Sequence, residues 1–176
     1  MATAVPTKGG SGEFTTDKIL EFIDENGDTG TEIIVKNDQE PSMQYVIQDL
    51  VSERIEGRTI LEESPKKSSG SNGIVERAVK EIEGNMRALY LGLEERIGGR
   101  IDARERIIAF IPEYAAYLLN RLKIGADGKC AYQRIKGKSP TVLGVEFGEK
   151  VMYKLQRGSK MEKLNARWEY GVFVGV

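Results

Sequence analysis

Between Gly73 and the pair Gly98-Gly99, apolar residues return at every third or fourth position: Val75, Val79, Ile82, Met86, Leu89, Leu93 and Ile97. A strand alternates faces at every residue, so only a helix keeps this set on one side. The spacing therefore predicts one long helix with a core-facing stripe. A second helix is expected over roughly Ala103 to Leu122, apolar enough to be largely buried, with Pro112 as a kink. Upstream, a helix should start at Thr15 or Thr16, carry Ile19, Leu20, Phe22 and Ile23 as its apolar face, and stop at Gly27. Ile33-Ile34-Val35 carries the signature of a buried strand over Glu32 to Lys36. Pro41 fits the first turn of a further helix running to about Ile55, and Arg58 to Glu62 fits a short strand. Ser64 to Gly73 reads as a polar loop. After Gly125 the composition turns basic and rich in glycine, with short strands expected at Val142–Val145, Val151–Leu155 and Val172–Val176.

Helices alternating with strands and followed by strands alone predict an α/β fold with a small β appendage. The boundaries are set at residues 1–124 and 125–176. A chain of 176 residues, 40% hydrophobic and 30% charged, is long enough to bury a core. Its apolar runs are short and broken by charge, so no membrane span is expected. No charged-then-apolar leader opens it, which argues against secretion. A single Cys130 excludes an internal disulfide.

The absence of histidine excludes more: a Ser-His-Asp triad, a Cys-His pair and a histidine-containing zinc site. Chemistry here must rest on carboxylates or lysines. Charge is also unevenly spread. Residues 1–65 hold 5 basic and 14 acidic side chains, whereas residues 121–176 hold 12 and 5. That asymmetry suggests a basic half facing a polyanion, or a lysine-rich solvated surface.

Two acids have unusual surroundings. Asp38, in Lys36-Asn37-Asp38-Gln39-Glu40-Pro41, lies at the carboxyl end of the expected buried strand, where ligands of open α/β sheets gather. It can equally cap the next helix. Glu76, in Ser71-Asn72-Gly73-Ile74-Val75-Glu76-Arg77, falls in the first turn of the long helix, where the helix dipole favours an acid. From it, Lys80, Glu83 and Arg87 follow at steps of four, three and four along one face. Glu76–Lys80 and Glu83–Arg87 could be intrahelical pairs.

Thirty-seven residues separate Asp38 from Glu76. The string S-x-S-N-G-I-V-E-R-A, preceded by K-N-D-Q-E-P, resembles the second and third acids of a retroelement integrase. F-G-E-K-V-M-Y-K (147–154) and K-L-N-A-R-W-E-Y-G-V-F-V-G (163–175) are similar to the small SH3-like segment behind the catalytic core of Copia-type polyproteins. The resemblance spans about Val5 to Val176. It implies a partial RNase H-like integrase core lacking its first two strands, followed by a basic, β-rich SH3-like segment. Ala2–Thr7, Glu32–Lys36 and Arg58–Glu62 would be the third, fourth and fifth strands of that fold. A two-stranded remnant and a loosely held start of the chain are then expected.

The resemblance further implies metal-dependent DNA cleavage and strand joining, with Asp38 and Glu76 as catalytic ligands of Mg²⁺ or Mn²⁺. Carboxylate oxygens suit these hard cations without histidine. The family's first Asp has no match here, since Asp17, Asp24 and Asp28 lie on or just after a helix. The chain alone should therefore bind metal weakly and catalyse poorly. Lys80 matches a position that touches terminal DNA in related integrases, whereas Glu83 stands where retroviral enzymes often carry a further lysine. DNA contacts are expected at Lys66, Lys67, Asn72, Lys80, Arg87, Lys154, Arg157, Lys160 and Lys163, to phosphates rather than base edges. Trp168 and Tyr170 are expected in the core of the small barrel. Partners would be retroelement ends and target DNA, and a second copy of the chain, in the nucleus or a cytoplasmic retroelement particle. The alternative is a non-catalytic nucleic-acid-binding or assembly module derived from a decayed integrase.

Overall fold

The structure, a computed structural model, describes residues 1–5, 13–37, 41–63, 73–155 and 167–176. The chain divides into two compact units, Met1 with Thr3–Glu81 and Ala2 with Ile82–Val176.

In the first unit, helix α1 (Glu13–Asn26) leads to strand β1 (Ile33–Asn37), helix α2 (Pro41–Glu53) and strand β2 (Thr59–Glu63). Two of these boundaries follow a local signal. Gly27, in the left-handed region, closes α1, and Pro41 opens α2 where no backbone N–H is needed. The strands pair in parallel, Ile33 opposite Thr59 through Asn37 opposite Glu63. With α2 between them they form a βαβ unit, so the fold is mixed α/β. Each strand has a neighbour on one side alone among the described residues.

The core of this unit includes Val46, Ile47 and Leu50 of α2, and Thr16 of α1 is fully buried. Each such aliphatic side chain contributes about 1.5–3 kcal/mol. The buried-strand expectation needs correcting for Ile34, which is 64% exposed. Ile33 and Val35 are only half-buried, and Ile34 and Lys36 on the other side of the strand are exposed. Residues 1–5 carry no strand, and the rest of the expected third strand lies outside the described residues.

Helix α3 (Gly73–Ile97) begins in the first unit and ends in the second. Its stripe is buried only toward its end: Leu93 is fully buried, Ile82, Met86 and Leu89 are half-buried, and Val75, Val79 and Ile97 are exposed. In the second unit Leu93 packs with Ile111, Tyr114 and Phe147, and Phe173 joins from the C-terminus. Tyr114 stacks on Tyr117 and Phe147 and meets the edge of Phe173.

Pro112 makes no mid-helix kink. A 3₁₀ turn (Arg106–Phe110) precedes α4 (Ile111–Leu122), which places Pro112 in the first helical turn, where its missing N–H costs nothing. A short helix, α5 (Ala131–Lys136), stands where only strands were expected. A reciprocal cap between Cys130 and Gln133 opens it, and left-handed Gly137 closes it. No strand forms at Val142–Val145. Strands β3 (Lys150–Lys154) and β4 (Trp168–Val172) pair antiparallel, so the last strand lies earlier than the expected Val172–Val176.

Candidate functional site

Asp38 follows the last residue of β1 and lies outside the described residues, as do Lys66, Lys67, Asn72, Arg157, Lys160 and Lys163. Glu76 sits in the first turn of α3 and is exposed. Among the described residues it makes no ion pair, including with Lys80. Farther along the helix, Arg87 Nη1 lies 3.9 Å from Glu83 Oε2, an exposed pair of small worth. Of the two intrahelical pairs considered, only this second one forms. Lys154 ends β3 opposite Trp168, with its side chain exposed.

Asp17, Asp24 and Asp28 stay on or after α1. Asp24 accepts a hydrogen bond from Thr29 Oγ1 at 2.8 Å, and Asp28 accepts one from Thr31 Oγ1. Among the described residues no three acidic or cysteine side chains come together as a metal-holding group. Glu76 is the one expected ligand whose side chain is described. The donor type fits a hard divalent cation, but the described residues do not supply a complete set of ligands.

Three clusters in the second unit escaped the sequence reading. Arg121 lies against two rings, 3.8 Å from the centroid of Tyr117 and 4.6 Å from that of Tyr132. The step from Tyr117 to Arg121 is one helical turn and was legible, whereas Tyr132 comes from α5. An apolar groove of about 320 Å³ is lined by Met86, Tyr90, Leu91, Ile108 and Ile111, with Arg87 beside it. Finally, Asp127 receives a two-pronged bond from Arg134: Nε to Oδ2 at 2.9 Å and Nη2 to Oδ1 at 2.6 Å.

The Arg134 fork, with the Lys129 N–H, holds the Asp127 carboxyl well below the usual carboxylate range. A depressed folded value means that the pair's contribution is present above the ordinary carboxylate pKa of 3.8 and fades as pH falls below it toward the folded value. A carboxyl NMR titration of Asp127 should show a midpoint well under 3.8, and Arg134→Gln should return it toward that value. An unchanged midpoint in the variant would mean that the backbone N–H, not the guanidinium, sets the shift.

No helix among the described residues is long and apolar enough to cross a membrane. Compared with known protein families and with curated proteins, the chain matches none.

Proposed function

We propose that this chain carries part of the catalytic core of a retroelement integrase of RNase H-like type, followed by a basic SH3-like segment, and that its intact form cuts and joins DNA. One observation carries the reading. A parallel βαβ unit ends its first strand at Asn37, the residue before Asp38, and Glu76 opens the helix that follows the second strand. Asp38 and Glu76 would hold Mg²⁺ or Mn²⁺, which when bound activates a water or 3′-hydroxyl and steadies the attacked phosphate. Lys80, one turn beyond Glu76, would meet a phosphate oxygen. Arg87 would do so only after leaving Glu83.

The second reading is a non-catalytic nucleic-acid-binding or assembly module, which would use the same basic residues without the metal. Both readings require DNA binding dominated by phosphate contacts. Anisotropy of a labelled blunt duplex should show affinity falling steeply with salt, with a slope of about −0.9 per phosphate contacted. Charge reversal at Lys154, Arg157 and Lys160 should weaken binding by about tenfold or more at moderate salt and flatten that slope. Unchanged affinity and slope would remove these residues from the interface.

A further inference from the structure

Trp168 and Tyr170 were expected inside a small barrel, and the structure corrects that expectation. Trp168 is 51% exposed and Tyr170 is 67% exposed. The register explains which residues accompany them. In an antiparallel ribbon, directly opposed residues share a face. Lys150 opposes Val172, Met152 opposes Tyr170, and Lys154 opposes Trp168. One face therefore carries two lysines, an indole, a phenol ring, a thioether and a valine, and no acid. Tyr153 and Glu169 oppose each other on the other face, where the Tyr153 hydroxyl donates to Glu169 Oε2 at 2.9 Å. The ribbon's one paired acid is thus turned away from the lysines. Beyond β3 the pairing continues, since the Leu155 N–H donates to the Arg167 carbonyl at 3.0 Å.

We propose that this open face of the β3–β4 ribbon is a stacking platform for the bases of single-stranded nucleic acid. Every base offers a π-face to an exposed indole or phenol ring, and alternating lysines match the phosphates between bases. The Lys150 ammonium lies over the Tyr170 ring, 4.2 Å from its centroid, and would move off that face to a phosphate when a base stacks there. Charge also argues against the other occupants of such a face. A second copy docking face to face would bring four ammonium groups together without an acid, and a purely apolar partner would bury two of them unpaired. The inference rests on the proposed nucleic-acid partner and extends that contact from phosphate to base.

Trp168 is the only tryptophan, so fluorescence excited selectively from tryptophan reports this face. Titrating the whole chain with a short oligodeoxythymidine should quench Trp168 saturably, and rising salt should weaken the effect with a slope of about −0.7 per phosphate. Tyr170→Ala should lower affinity by at least about fivefold, the loss of one stacked base. Lys150→Gln with Lys154→Gln should flatten the salt dependence while circular dichroism stays unchanged. Duplex binding by anisotropy without any Trp168 quench would overturn the platform and leave the phosphate contact standing. No binding to either nucleic acid would overturn both. A quench produced by raising protein concentration alone, with a dimer in sedimentation, would assign the face to a second copy instead.

Discussion

Gly148→Ala is expected to melt the C-terminal unit more than about 10 °C below the wild-type chain, a loss of about 2–4 kcal/mol. Two costs add. Gly148 has φ +80°, where an L side chain is strained by about 1–2 kcal/mol. A Cβ there would also run into Cδ1 of Leu93, which is 1% exposed and packed with Ile111, Tyr114 and Phe147. Gly148 sits where the chain turns into β3, its N–H donating to the Phe173 carbonyl at 2.8 Å, so it cannot retreat without breaking that bond. Gly98→Ala is the control. Its φ is +73°, but nothing lies within 4 Å of the added atom. Thermal unfolding followed through Trp168 should separate the two variants by the packing cost. Equal melting would show that Leu93 repacks freely.

The second large effect belongs to Arg54, which is 6% exposed and pairs with no carboxylate among the described residues. Its guanidinium donates to the Asp28 carbonyl at 2.9 Å, the Thr29 carbonyl at 3.2 Å, the Thr31 carbonyl, and Thr59 Oγ1 at 3.0 Å. It thereby ties the end of α2 to the turn after α1 and to the start of β2. Arg54→Met keeps much of the volume and strands three carbonyls, so a loss of about 3 kcal/mol is expected in urea unfolding. Arg54→Lys should recover little, because a single ammonium cannot fork across those acceptors. Full recovery by lysine would mean that charge alone suffices.

The βαβ unit was legible because its signals are local: Gly27 as a stop, Pro41 as a first-turn residue, and an aliphatic triplet at Ile33-Ile34-Val35. What covers a strand is not local, which is why Ile34 emerged exposed. Helix α5 was missed because cysteine is an unusual cap, and its six residues sit inside a stretch read as loop and strand by composition. Arg54 gave no sequence signal, since three of its four acceptors are backbone carbonyls more than twenty residues upstream. Trp168 and Tyr170 look like core by residue type, and only the register of β3 with β4 reveals an open face. Of the candidate site, Glu76 at the start of a long helix was readable from Gly73 and the stripe behind it. The spacing to Asp38 carried the resemblance, but spacing alone brings no two carboxylates together.

Paramagnetic broadening by Mn²⁺ tests that joining most directly. In the amide spectrum of the full chain, substoichiometric Mn²⁺ should broaden Asn37 and the Ile74–Arg77 amides together. Asp38→Asn or Glu76→Gln should each remove the effect at both places, as expected of ligands to one cation. Broadening at one segment without the other, or at both in either variant, would contradict a shared site and with it the integrase reading.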